Sequence, residues 1–213
     1  MLSRHMREPF SGLSHLMGAL LALAGLAYML ANIPEQRPTQ YLASYLVFGL
    51  SMTLMFAASA VYHLMEIDEQ GIRKLKRVDH MAIFIMIAGS YTPFCLLGLE
   101  SSQGWWMFGI VWSIALFGIG VKIFWLHAPR WLSTALYLGM GWVAIAVIEP
   151  LSAALSEAAI NWLIAGGIAY SIGAVVYAGK WPDLHSKFGF HELWHIFVLA
   201  GAACHFVSIG LYL

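Results

Sequence analysis

The sequence predicts an all-α protein. It reads as a polytopic membrane bundle of seven transmembrane helices, a single domain over residues 1–213, with the N-terminus cytoplasmic and the C-terminus external. Three observations lead there. Hydrophobic residues make up 61% of the chain and charged residues only 10%, where an average soluble domain is roughly a quarter charged. Seven apolar runs come close to the roughly 20 residues a spanning helix needs. The basic residues alternate in sign of exposure from one link to the next, as the positive-inside rule requires.

In chain order the runs cover about 14–33, 42–65, 78–98, 104–124, 131–149, 160–179 and 191–212. The first is too long for a signal peptide and no A-x-A cleavage pattern follows it, so it reads as a span. The links are short and polar, and Pro34, Pro38, Gly71, Gly104, Pro129, Pro150 and Pro182 mark their turns. None is long enough for a soluble domain. The junction between runs five and six is the least sharply drawn, because Glu149-Pro150 and Glu157 interrupt a weakly apolar stretch. Pro93 is expected to kink run three, with Ser90-Tyr91-Thr92 available for the freed backbone groups. Trp105, Trp106, Trp131, Trp162 and Trp181 fall at run ends, which suits an interfacial aromatic belt.

With the N-terminus inside, Arg4, Arg7, Arg73, Lys74, Lys76, Arg77, Lys122, Arg130, Lys180 and Lys187 are cytoplasmic and only Arg37 is external, a ratio of ten to one. Dropping any span would scramble that ratio. The orientation is opposite to that of G-protein-coupled receptors. It implies a multi-pass protein of the cell (inner or plasma) membrane, with lipids as the expected partners. A formal net charge of zero points to no nucleic-acid partner. Cys95 and Cys204 both lie in apolar runs and form neither a disulfide framework nor a C-x-x-C motif.

Orientation turns sequence position into depth. Run seven opens with His191-Glu192-Leu193-Trp194-His195, an H-E-x-x-H pattern whose two histidines share a helix face. Two imidazoles so placed can bind one Zn²⁺; the plainer reading is a pair of interfacial, half-wet histidines. Run two ends with Ser59-Ala60-Val61-Tyr62-His63, again with a four-residue spacing. Run three leaves the same side carrying Asp79 in its first turn, and run one carries Glu8 just before it and His15 in its first turns. Three histidines and an aspartate from three spans therefore reach one level near the cytoplasmic face.

These motifs, taken together and in order, resemble the hemolysin III proteins of bacteria. Those proteins group with the progestin and adiponectin receptors and are more distantly related to the alkaline ceramidases. The resemblance covers nearly the whole chain: Glu8 and His15 as E-x6-H, Ser59 and His63 as S-x-x-x-H, Asp79 at the head of run three, and His191 and His195. It implies Zn²⁺ held by His63, His191 and His195, with Asp79 acting through a water on the metal and Ser59 near that water. It also implies the seven-helix, N-inside topology reached from charge. Between Glu8 and His15 the chain carries Pro9-Phe10-Ser11-Gly12 where the family has mostly polar residues.

Three histidines with an open fourth position describe a catalytic rather than a closed structural zinc site. A nearby carboxylate can take or relay the proton of an attacking water. Asp79 and Glu192 are the candidates. Asp79 is the better placed, because Glu192 lies about 100° around the helix from His191. The structural alternative for either carboxylate is a helix-start residue favoured by the dipole. His205 lies about 21 Å along the helix from His191 and is expected to be a core histidine bonded within the bundle. His80 is expected to be interfacial and turned away from Asp79, and His5, His127 and His185 solvated. The Arg73-Lys74-Lys76-Arg77 cluster reads as an orientation signal that could also hold anionic head groups. Two functional classes stay open: a zinc-dependent hydrolase of a lipid amide or ester, or a non-enzymatic cytolysin or membrane-state regulator with zinc as a structural staple. An intramembrane protease rests on H-E-x-x-H alone. The few polar residues in the spans argue against a wide pore in a single chain.

Overall fold

A computed structural model describes residues 6–99, 101–185 and 188–213. Arg4, His5 and Lys187 lie outside the described residues. Among those described, seven helices are long and apolar enough to cross a membrane: α1 (Pro9–Ala31), α2 (Pro38–Leu64), α3 (Glu69–Gly98), α4 (Ser102–Phe124), α5 (Arg130–Ala154), α6 (Glu157–Gly179) and α7 (Phe190–Tyr212). The chain is a seven-helix membrane bundle.

Proline starts α1 and α2, where its missing N–H costs nothing and its fixed φ suits a first turn. Pro38 therefore belongs to a helix rather than to the turn expected there. Both faces of α1 are apolar, so size sorts them. Gly12, Gly18, Ala19, Ala22 and Gly25 face inward, while Leu13, Leu16, Met17, Leu20 and Leu21 are exposed, as suits contact with lipid. The small residues allow close helix approach. A Cβ on Gly18 would stand 2.7 Å from Leu199 and 2.9 Å from Phe56, so α1 packs against both α7 and α2 at that point.

The third helix begins nine residues before the apolar run does, at Glu69 rather than 78. Asp68 caps it, accepting the Gly71 N–H at 2.9 Å. The Arg73–Arg77 cluster expected in a link is helical instead, and Asp79 sits about 15 Å along the helix axis. It is not a helix-start residue, so the dipole does not account for it. Pro93 ends regular α geometry, and Phe94–Gly98 continue as a π-helix. Ser90 and Thr92 bond back to the carbonyls of Met86 and Ala88 at 2.9 and 3.0 Å.

Tyr91 works elsewhere. α5 breaks at Val143–Val147 into a 3-10 turn before resuming at Ile148. There the Tyr91 hydroxyl accepts the Ala144 N–H at 2.8 Å and donates to the Met140 carbonyl at 2.9 Å. The weakly apolar junction anticipated around Glu149-Pro150 is this interrupted helix. Pairs α1–α2, α2–α3, α6–α7 and α1–α7 pack directly, and α3 also touches α4 and α5. α3 is the most enclosed, with 67% of its apolar window buried against 22% for α5. The ends of α2, α4 and α6 and the starts of α1, α3, α5 and α7 share one end of the bundle, which carries Arg7, Lys76, Lys122 and Arg130.

Candidate metal centre

Glu192 sets the pitch at which α7 begins. Its carboxylate accepts the Gly189 N–H at 2.8 Å and, more weakly, the Ser11 hydroxyl at 3.4 Å. The first bond closes the exposed end of the helix, and the second ties it to α1. With α7 so anchored, His191 and His195 project one turn apart toward the end of α2, where His63 closes that helix.

The three imidazoles meet. One donor nitrogen from each of His63, His191 and His195 lies within 4.8 Å of the other two. Nε2 of His191 and Nε2 of His195 are 3.2 Å apart. Two nitrogens bound to one tetrahedral zinc at 2.0–2.1 Å would stand about 3.3 Å apart. Ring centroids form a nearly even triangle of 5.1, 4.7 and 4.9 Å. The group could hold a metal ion. The donor set suits one: three imidazoles, borderline ligands, whose ring nitrogens converge, with Nε2 of His191 and of His195 turned toward each other.

Glu8 supports this arrangement from outside. Its carboxylate pairs with Nδ1 of His63, and its backbone N–H donates to the His63 carbonyl at 2.9 Å. Pinning Nδ1 leaves Nε2 free to face the centre, the usual role of an outer carboxylate on a metal-binding histidine. Hydrogen bonding to His63 holds the Glu8 carboxyl below the ordinary carboxylate range, so Glu8 stays ionised opposite the ring. His15 stacks on His195 with centroids 3.9 Å apart and meets Phe56 edge-on. Neither of its nitrogens, nor Nδ1 of His195, has a hydrogen-bond partner. The Ser11 carbonyl faces the His195 ring without meeting hydrogen-bond geometry.

Asp79 is buried on α3 and lines the same cavity with Ser59 facing it. It does not join the three-histidine group. His80 does not turn away as expected. Its Nε2 lies 4.0 Å from Asp79 Oδ2, and its ring lines the cavity beside the carboxylate. The cavity is wide enough to reach both neighbours on one helix. Its volume is about 670 Å³, and from the three histidines it runs between α3, α5, α6 and α7 over mostly apolar side chains.

The profile of the family described as Haemolysin-III related matches residues 3–206. The chain belongs to the haemolysin III family. It is 37% identical to the hemolysin-3 homolog of Bacillus subtilis (strain 168) over 206 residues, 96% of this chain and 93% of that one. It is 27% identical to the monocyte to macrophage differentiation factor of Homo sapiens over 176 residues, 78% and 69% of the two chains. It is 22% identical to the adiponectin receptor protein of Drosophila melanogaster over 215 residues, 92% and 48% of the two chains.

In this haemolysin III protein His205 is a core histidine, as expected, but not a well-bonded one. It packs edge-on against Tyr170 at 5.4 Å and over Gly166, with the Leu163 carbonyl nearby and no hydrogen bond in full geometry. His127 and His185 are exposed, as are the five tryptophans assigned to helix ends. Sequence reasoning missed Lys122. Grouped with the orientation signals, it is only 1% exposed and donates to the Ser133 hydroxyl. The available signal was its setting in Gly-Val-Lys-Ile-Phe, with apolar residues on both sides.

Proposed function

We propose that this haemolysin III protein is a zinc-dependent hydrolase of a lipid amide or ester, working near the cytoplasmic face of the cell membrane. The observation that carries the reading is a three-histidine group open on one side to a long apolar cavity, with a buried carboxylate across from it. A structural staple would need no cavity, and a closed site would need a fourth ligand.

His63, His191 and His195 would hold the ion, which supplies an acidified water and polarises a carbonyl when bound. The chain's own residues do the rest. Asp79 takes the proton of the attacking water and returns it to the leaving group. Ser59 orients the carboxylate, and Glu8 fixes the tautomer of His63. The apolar walls seat the acyl chain and keep bulk water from the reacting carbonyl. Glu192 is spent on the cap of α7 and on Ser11, so it is a positioning residue here. The orientation rests on the ten-to-one bias of the basic residues.

The test pairs metal analysis with turnover of labelled lipid amides and esters in detergent. Asp79→Asn should keep most of its zinc and lose turnover by roughly 10²–10⁴-fold, the usual loss for a general base. Glu192→Gln should lose far less. Metal-loaded wild type that turns over neither amide nor ester would leave the regulator or cytolysin reading, with zinc as a staple. Activity that survives Asp79→Asn and vanishes in Glu192→Gln would reverse the assignment.

A further inference from the structure

Lys122 is a buried lysine with no carboxylate counter-ion among the described residues. It lies on the last turns of α4, 1% exposed, and donates to the Ser133 hydroxyl of α5. Among the described residues no carboxylate lies within 4.0 Å of it. Lys76 stands near enough on α3 to repel it. A hydroxyl satisfies one of the three ammonium donors and neutralises none of the charge. Removing an ammonium from water is expensive unless an opposite charge meets it.

The surroundings make the imbalance a property of the cavity. Lys76, Lys122 and Arg130 all belong to its wall, and Asp79 is the only carboxylate there among the described residues. Arg130 lies over Tyr177 and Phe190, at 4.8 and 5.3 Å from the ring centroids, and its Nη1 is buried without a partner. Three cations from α3, α4 and α5 therefore surround one end of a cavity whose other walls, formed by Met86, Phe94, Leu99, Leu151 and Val198, are apolar. Basic residues of a topological signal would instead reach out to water and head groups at the surface.

We propose that this cavity binds an amphiphile whose head group is a phosphate, with Lys122 as the buried anchor, Lys76 and Arg130 beside it, and the alkyl chain along the apolar walls. Three cations against one carboxylate favour a dianion over a single charge, and Ser133 adds a neutral donor. A free phosphate would leave the apolar walls uncovered. The inference rests on the hydrolase reading only in taking this cavity as the lipid site; the head group is argued from the three cations alone. Binding of a non-hydrolysable ligand tests it without turnover.

The experiment is calorimetry on the full-length, zinc-loaded protein in a neutral detergent. The ligands are an ether-linked lysophosphatidic acid, the matching alkyl glycerol, a fatty acid of equal length, and inorganic phosphate. The lysophosphatidic acid should bind roughly ten- to a hundredfold more tightly than the alkyl glycerol, the range supplied by a charge-assisted hydrogen bond. Lys122→Met should abolish that preference and leave alkyl glycerol binding within about twofold, while Lys122→Arg should keep most of it. Lys76→Gln, half-buried and outside the three-histidine group, should reduce it and decides the matter if the Lys122 variant does not fold. Equal binding of lysophosphatidic acid and alkyl glycerol would overturn the proposal. So would a preference that survives both Lys122→Met and Lys76→Gln. A fatty acid bound as tightly as the phosphate would overturn the phosphate assignment, and inorganic phosphate bound as tightly would overturn the amphiphile. Zinc content is read on the same samples, so loss of the metal is not mistaken for loss of the ligand.

Discussion

Replacing Glu8 by Gln should weaken zinc binding by about tenfold, and the size follows from the geometry. Gln keeps an oxygen for Nδ1 of His63 but loses the charge that favours a ring with its proton on that nitrogen. Outer carboxylates of this kind are worth 10–100-fold in metal affinity, or about 1.4–2.7 kcal/mol. The Glu8 side chain is 41% exposed and shared with Arg7, whose Nε is 3.4 Å away. Solvent screening therefore places the effect at the lower end of that range. The backbone bond from the Glu8 N–H to the His63 carbonyl survives the change, so α1 should stay seated against α2. Glu8→Ala removes the acceptor as well and should cost more, towards a hundredfold. The assay is competition between detergent-solubilised protein and a chromogenic zinc chelator at fixed pH. Equal zinc affinity for wild type, Glu8→Gln and Glu8→Ala would refute the reasoning and return Glu8 to the status of a solvated helix cap. Acidification should weaken zinc binding in all three proteins, because protons compete for the imidazoles. The carboxyl of Glu8 is held below its ordinary value, so its contribution is fully present above that ordinary value. It should be lost only as pH falls through the depressed one.

Each of His63→Ala, His191→Ala and His195→Ala should lose the single zinc expected per chain, while His205→Ala should retain it; metal analysis of purified protein decides, and zinc kept by His63→Ala would detach α2 from the centre. Tyr91→Phe leaves the Ala144 N–H and the Met140 carbonyl without their partner and should lower stability by about 1–3 kcal/mol, read as the thermal unfolding midpoint in detergent. Gly18→Leu forces a side chain against Leu199 and Phe56 and should cost about 1–3 kcal/mol by overpacking, measured in the same way. A reporter fused after Leu213 should be external and one near Lys74 cytoplasmic; the reverse at either position would overturn the orientation.

The spans were legible because two independent signals coincide: twenty-residue apolar runs and a basic residue bias that changes side at each of them. Three histidines and Asp79 at one depth followed from that alternation, since depth needs only span order and helix rise. What escaped was set by contacts between distant residues. Glu8 meets His63 fifty-five positions away, and no local pattern announces that the chain before α1 folds back onto the end of α2. The start of α3 at Glu69 was hidden because a solvated helical turn carries no apolar period; Asp68 with the Gly71 N–H was the only cue. The break in α5 could not be placed, since a hydroxyl from α3 satisfies it. His80 was set apart from Asp79 because adjacent residues diverge by about 100° on a helix, a rule that holds for a flat contact and fails for a cavity broad enough to take in both.

The proposed reading gives the motif H-E-x-x-H a different division of labour from the one it has in soluble metalloproteases. There the glutamate sits mid-helix beside the metal and serves as base. Here the motif falls on the first turn of α7, where backbone N–H groups lack partners inside the helix. A glutamate three residues after Gly189 is drawn to that deficit, and the Gly189 N–H and the Ser11 hydroxyl take its oxygens. On the proposed hydrolase reading the base would then come from another helix. Asp79 is the proposed source, because α3 is the most enclosed of the seven helices and carries it to the wall of the cavity that the histidines line. Under that proposal Asp79, buried on the cavity wall with Ser59 facing it and His80 Nε2 at 4.0 Å, would fill the role that the capped Glu192 cannot.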